Sequence, residues 1–474
     1  MFTLNDVLQG NAGRVSLLSS QSPDPDMVFH SAHHDSRQIS AGDLFIAIKG
    51  ARVDGHRFIA AVAQAGALGA LCSEPSTDVP PDFIQIVVPD VVEALQATAR
   101  VRTQRQEHTT LIGITGSNGK TSTKEAIATV LSHKAPTLKT QASYNNEIGY
   151  PLTLLRLEPE HRYAVLEMGA QWVGELAWLC RTIANPNWSL ITNVGTSHLE
   201  FFKSQERIAI AKSELVQALT SDGIAILNYD DLNVRNMSTK TQARVLYYGL
   251  EDGAQVRASS IAGDTLFGRS FTLSYQKQQR HVQLRLPGEH GILIALAAAA
   301  VGCAAEMPLD EIGAALETLA PAKGRGEIKP GPNGSTIVDD TYNANRQSIA
   351  AITSAMHDAS LPPESKRWAI VGDIFELGPF AQEEHQMSGE IMARNVDYLL
   401  ALGDEARFYV EGALKAGMPT KNAHYLRADV ENSSELEANK QTIAEMLKRD
   451  VKKGDLVLIK GSRGMRMETL LDML

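Results

Sequence analysis

Cysteine is scarce: three residues in 474, Cys72, Cys180 and Cys303, each among apolar or small neighbours. So few thiols exclude a disulfide framework, and buried, reduced side chains are the expectation. Basic charge is in short supply as well, with 45 Lys and Arg against 55 Asp and Glu and a formal net charge of −10. A nucleic-acid partner normally shows as a basic surplus or stripe, so none is expected. Long apolar runs are missing too. The uncharged, Ala-rich stretch at 291–305 is shorter than the ~20 residues of a membrane span and reads as a buried helix. The start, Met1 to Asp6, is acidic where a secretory signal is basic, and no apolar segment follows. The expectation is a cytoplasmic protein without a membrane span. There is no internal repeat and no low-complexity tract.

What is present is ordinary globular usage, 43% hydrophobic and 21% charged, which leaves disorder, collagen and coiled coil as poor readings. At about 150 residues per domain, the length allows two to four domains. The first hundred residues hold short strand-like runs, Leu44–Ile48 and Phe83–Val88, around a helix beginning at Phe58 and capped by Gly66. A polar stretch, Arg100 to Thr110, reads as a linker. From Leu111 the pattern turns to strands (111–114, 164–166, 189–191, 224–227) alternating with helices (121–133, 206–219), the rhythm of a parallel sheet covered on both faces. Residues 246–286 read as hairpins appended to that sheet. A third α/β unit opens near Pro321, with strand candidates at 336–338, 368–371, 398–402 and 456–459. The prediction is therefore an α/β chain of three domains: a small N-terminal α/β domain at 1–107, a central parallel-sheet P-loop domain at 108–320 and a C-terminal Rossmann-like domain at 321–474.

The strongest motif is Gly113-Ile-Thr-Gly116-Ser117-Asn118-Gly119-Lys120-Thr121-Ser122, an apolar strand running into a glycine-rich turn that opens a helix. Amides of such a loop wrap phosphate oxygens, the Lys reaches the β- and γ-phosphates and the Thr hydroxyl ligates magnesium. The strict pattern fails at one place, because Ile114 fills its first glycine position. Glu167 and His198 each follow a strand, at the sheet edge where open α/β folds bind ligands. Read alone, each is a loop residue; beside a phosphate loop, each becomes a candidate magnesium ligand. Lys212 sits in a helix with apolar neighbours and reads either as a snorkelling lysine or as a functional one whose charge is removed or paired. In the third unit, Asp339-Asp340-Thr-Tyr342-Asn343-Ala-Asn345 follows a strand, Arg325 stands shortly before it, and Lys460-Gly-Ser462-Arg463 follows the last strand. These groups suit either an anionic ligand or helix capping and solvated turns.

Together the motifs 116–121, Asn145-Asn146-Glu147 to Pro151, Leu166 to Gly169, 339–345 and 460–468 resemble the Mur ligases, and Asp35-Ser36-Arg37, 42–45 and 54–56 extend the resemblance to all three domains. Within that family they are most similar to the member that joins D-alanyl-D-alanine to UDP-MurNAc-tripeptide. The resemblance implies an ATP-dependent ligase of peptidoglycan synthesis: ATP converts the tripeptide carboxylate to an acyl phosphate, and the dipeptide amine displaces phosphate. It implies Lys120, His198 and Lys212 as catalytic, and Gly116 to Ser122, Asn145, His290, Arg325, Asp340 and Asn343 as ATP contacts. Two Mg²⁺ positions would be served by Thr121, Glu167, His198 and a carbamylated Lys212. Ser36, Arg37, Lys49 and Asn146 would meet the UDP-linked substrate, and Asn345, Lys460, Ser462 and Arg463 the D-Ala-D-Ala side. The sequence departs from the family pattern at Gly291 and Ile294, where asparagines are expected, and at Arg346, where proline is usual. A monomer is expected. Competing readings are a ligase adding the third residue, whose Asp-Asn-Pro-Arg motif is absent, and a P-loop NTPase that couples hydrolysis to motion.

Overall fold

The computed structural model spans residues 1–474 and describes all of them except Arg52, Ser143, Ser197 and His198. Besides a two-stranded antiparallel pair, Phe2–Thr3 with Val28–Phe29, three larger sheets follow one another along the chain. The first has the spatial order Ser16–Leu18, Ile84–Val87, Gly69–Cys72, Leu44–Ile46, Ala32–His33; it is parallel except for Ser16–Leu18. The second has nine strands, ordered Gln278–Leu284, Gly268–Tyr275, Val256–Asp264, Arg244–Gly249, Ile224–Asn228, Trp188–Ile191, Thr110–Thr115, Tyr163–Glu167, Thr137–Lys139. Its Thr110–Thr115 strand lies in the interior, and the chain builds first to one side of it and then to the other. Such a reversal opens a crevice at the carboxyl ends of the strands.

The region predicted as hairpins divides differently. Arg244–Gly249 and the start of Val256–Asp264 continue the parallel sheet, and antiparallel pairing is confined to the strands from Val256 to Leu284. Alternating apolar residues report one buried face and carry no information about strand direction, which is why the reading failed there. The predicted linker is also largely absent. Asp90 caps the helix Val91–Gln104 by accepting from Glu93 N, and Val91, Ala94, Leu95 and Ala99 bury one stripe of it. Arg102, within the supposed linker, is buried and donates through Nε to Leu157 O at 3.1 Å. Its polar composition hid a helix whose buried polar groups are paired.

That helix joins two units into one core. Phe2, Leu4 and Val7 continue through Leu95 and Ala99 to Leu111, Leu166 and Leu215 under the nine-stranded sheet. The other face of the sheet carries Lys120–Ser132, Leu309–Glu317 and the Ala-rich helix Gly288–Ala304, which is buried nearly throughout. Among the described residues no helix is long and apolar enough to cross a membrane. The three cysteines are buried and unpaired with one another, as their neighbours suggested.

The third sheet runs Glu327–Pro330, Thr336–Asp340, Leu456–Lys460, Arg367–Gly372, Tyr398–Gly403, Ala423–Arg427, with only the first strand antiparallel. Among the places where it meets the second unit, two involve turns. One is the segment around Gly324 and Gly326, both in the left-handed region (φ 69° and 76°). The other is the turn after Val256–Asp264: Leu266 is buried with Val338, Ile352 and Met356, and Thr265 Oγ1 donates to Ala355 O at 2.8 Å. Ser360 N donates to Asp264 Oδ2 there, also at 2.8 Å.

Candidate active site

The Thr110–Thr115 strand ends in the loop 116–119, which two glycines make possible. A Cβ on Gly116 would lie 1.8 Å from Thr192 Oγ1, and Gly119 takes φ 77° to open the helix Lys120–Ser132. The neighbouring strand end holds the loop in place. Ser117 N and Asn118 N donate to the backbone oxygen and Oδ1 of Asn193, and Thr192 Oγ1 donates to Asn118 O at 2.7 Å. Thr192 and Asn193 were not singled out from the sequence; their only signal is a place at the end of a predicted strand. Lys120 Nζ donates to Gly116 O at 2.8 Å, folded over its own loop. Burial lowers its pKa, with the Glu167 charge opposing and Arg325 adding to the fall.

A cavity of about 950 Å³ opens above this loop, between the nine-stranded sheet and the third unit. Ser117, Asn118, Gly119, Lys120, Thr121 and Ser122 line its floor, with Asn145, Glu167 and His290 beside them. From the opposite wall come Arg325, Asp340, Asn343 and Asn345, then Lys460, Ser462 and Arg463. The walls already touch. Arg325 Nη2 donates to Thr121 Oγ1 at 3.3 Å, and Asn345 Nδ2 bonds Asn118 Oδ1. The Arg325 guanidinium lies 4.0 Å above the Tyr342 ring, and its buried Nε has no hydrogen-bond partner. Lys460 Nζ reaches Asp340 Oδ2 at 2.5 Å and Asn343 O at 2.8 Å. Burial lowers the Lys460 pKa against the pull of Asp340, and burial likewise lowers that of His290, whose Nδ1 lacks a partner.

Glu167 is buried, with Oε1 accepting from Asn145 Nδ2 at 2.9 Å and Oε2 accepting no hydrogen bond from the described residues. An orphaned carboxylate oxygen lining the same cavity as a threonine hydroxyl is a donor pair that fits a hard cation. Among the described residues there is no cluster of three or more His, Cys, Asp or Glu that could hold a metal. A cation here would therefore draw further oxygens from a phosphate and water. His198 lies outside the described residues. Lys212, in the helix Gln205–Gln217, is buried and does not line the cavity; burial, then the charge of Lys120, push its pKa well below the ordinary lysine value.

The remaining expected residues are not gathered here. Gly116 is not among the lining residues, and its carbonyl accepts from Lys120 Nζ. Arg37 is exposed and pairs with Asp35 at 2.6 Å, Ser36 between these two is half-buried, and Lys49 is exposed 4.0 Å from Glu74. Asn146 caps Gly149 N at 2.9 Å. An edge contact of 5.8 Å between His34 and Tyr144 nevertheless brings the 34–37 segment against the loop that carries Asn145 and Asn146. At the departures from the family pattern, a Cβ on Gly291 would lie 2.9 Å from Leu286 Cβ, and Ile294 lines the cavity with an apolar side chain. Arg346 opens a helix and pairs with Glu384 at 3.1 Å. Its neighbour Gln347 bonds Thr196 of the second unit at 2.7 Å.

A glycine-rich phosphate loop, a carboxylate beside it and cations brought from a separate α/β unit define an ATP-dependent ligase built from three units, and comparison with known proteins agrees. Residues 114–302 match the Mur ligase middle domain, 324–463 the Mur ligase glutamate ligase domain and 28–105 the Mur ligase family catalytic domain. The chain belongs to the Mur ligase family. It is 33% identical over 501 residues to the UDP-N-acetylmuramoyl-tripeptide–D-alanyl-D-alanine ligase of Mycobacterium bovis, covering 100% of this chain and 97% of that one. Among solved structures, MurF from Acinetobacter baumannii superposes with a TM-score of 0.85 at 30% identity, covering 99% and 98% of the two chains. MurF ligase from Thermotoga maritima in complex with ADP gives 0.79 at 28% identity, covering 94% and 97%.

Proposed function

We propose that the protein joins D-alanyl-D-alanine to UDP-MurNAc-tripeptide with ATP, releasing ADP and phosphate, in peptidoglycan precursor synthesis. The observation that carries this reading is the single cavity in which the phosphate loop faces Arg325, Lys460 and Arg463 of another unit. The relatives matched over nearly their whole length supply the substrates. The tripeptide carboxylate attacks the γ-phosphorus, the bond to the β–γ bridging oxygen breaks and ADP leaves. The dipeptide amine then adds to the acyl carbon, and the tetrahedral adduct collapses with loss of phosphate and of the amine proton. Lys120, swung from Gly116 O onto phosphate, offsets charge on the transferring group; Arg325 does the same from the far wall. Asn118, Gly119 and Ser122 orient the phosphates, and Asp340 and Asn343 keep Lys460 turned into the cavity. Apolar Ile294 and the close-packed Gly291 leave the base to shape and backbone groups.

Thr121 and Glu167 would hold one Mg²⁺, and His198 and Lys212 a second; the cation neutralises phosphate charge when bound. Lys212 serves as a carbamate, which its burial favours by raising the neutral fraction of the amine that adds carbon dioxide. Ser36, Arg37, Lys49 and Asn146 grip the UDP end, and Asn345, Ser462 and Arg463 the dipeptide end. Residues 1–107, 108–320 and 321–474 act as three units of a cytoplasmic monomer. The test is phosphate release measured with each substrate omitted in turn. Release is expected only with both the UDP-linked tripeptide and D-Ala-D-Ala present, and robust hydrolysis with neither would overturn the ligase reading in favour of an NTPase.

A further inference from the structure

One buried charge at the site is used by none of these steps. Lys124 lies a turn beyond Lys120 on the same helix and is fully buried, at a position where an apolar side chain would be ordinary. Its Nζ donates to Ala142 O at 2.9 Å, lies 3.2 Å from Glu125 Oε1 and stands 3.8 Å from Glu167 Oε2. Glu125 is itself shared with Lys139. The last distance matters most. At 3.8 Å the ammonium compensates the Glu167 charge without a hydrogen bond, so the lone pairs of Oε2 stay uncommitted. Meanwhile Ala142 lies three residues before Asn145, which donates to the other carboxylate oxygen. One ammonium thus fixes both the carboxylate and the segment that orients it.

We infer that Lys124 is a positioning residue that stands in for the charge of a divalent cation at Glu167 and makes cation binding depend on nucleotide. Without nucleotide, an approaching cation meets a Glu167–Lys124 pair already near neutrality and is repelled by the ammonium. Phosphate oxygens supply the negative charge that reverses this balance. The inference rests on the proposed role of Glu167, and the test separates the two.

Mn²⁺ is titrated into the full-length protein with and without ADP, and bound ion is read from its electron paramagnetic resonance signal. Glu167→Gln should weaken Mn²⁺ binding in the ADP complex; unchanged binding would overturn the role of Glu167 itself. Lys124→Met should tighten Mn²⁺ binding to nucleotide-free protein by about tenfold or more, given a unit charge removed within a few ångströms. Affinity equal to or weaker than wild type would overturn the inference, as would a gain that survives in the Lys124→Met/Glu167→Gln double variant. Lys124→Gln serves if the Met variant does not fold. The unaltered protein offers an independent arm: it should bind Mn²⁺ at least about tenfold more weakly without ADP than with it, and equal affinity would also overturn the inference.

Discussion

At the scale of single residues, burial pulls the pKa values of Lys120, Lys212 and Lys460 below the ordinary lysine value. Lys120→Ala removes one contact to the transferring phosphoryl, a loss worth ~3–4 kcal/mol and hence a few hundredfold in rate. The variant should keep its fold, because among the described residues the Lys120 ammonium donates only to its own loop; turnover within tenfold of wild type would count against the phosphate role. Lys212 makes a different prediction. An ordinary lysine, with a pKa of ~10.4, offers about one neutral amine in a thousand near neutral pH, and burial here raises that fraction. Stripping carbon dioxide should abolish activity and bicarbonate should restore it, whereas a fully active Lys212→Ala enzyme would reduce the residue to packing. Much of this was legible in the sequence, because a phosphate loop is local: strand, turn and helix lie within a dozen residues. Lys124 was not legible. A lysine four residues after another on a helix reads as solvated until a loop far along the chain closes over it.

Among the elements, the segment after the strand Arg367–Gly372 carries a buried acid and base. Asp373 accepts from Asp404 N at 2.9 Å, and its Oδ1 lies 3.9 Å from His385 Nε2, which accepts from Ile374 N at 3.0 Å. Ile374, Phe375 and Leu377 just beyond line the cavity. Burial pushes Asp373 up to about 6 and His385 down to about 4. Folded Asp373 keeps its proton where the unfolded chain would release it, so its contribution is full below pH 3.8 and lost as pH rises to about 6. Folded His385 stays neutral, so its contribution is present above pH 6.5 and lost as pH falls to about 4. Between about pH 4 and 6 the two oppose each other. His385→Gln should unmask the acid, making the urea midpoint fall with rising pH across that window while the wild-type midpoint stays flatter. Parallel profiles would dissociate the pair. The strand leading to Asp373 was readable as an apolar run, whereas the helix carrying His385 was not singled out; the linker and hairpin errors arose where composition and alternation stood in for pairing partners that only the tertiary structure supplies.

For the molecule as a whole, polar contacts between the walls of the cavity, among them Arg325 to Thr121, Asn345 to Asn118 and Gln347 to Thr196, join the second and third units. Chemistry needing groups from both walls should couple closure to ligands. Small-angle scattering should show a smaller radius of gyration with a nucleotide analogue and the UDP-linked substrate than without them, and an unchanged radius would argue against such motion. The three units were legible as a rhythm of strands and helices, but their junctions were not, since contacts such as His34 with Tyr144 join residues that share no local pattern. The hairpin tip is another of these junctions. Leu266 belongs to the second unit by sequence and to the third by packing, so the units are not interchangeable parts. A chimera that imports a relative's C-terminal unit at residue 321 would leave the host's leucine facing a socket shaped for another side chain. Grafts that carry the 264–267 tip along with the unit should yield soluble protein where the simple exchange does not, and the exchangeable cassette would then be two pieces of chain instead of one.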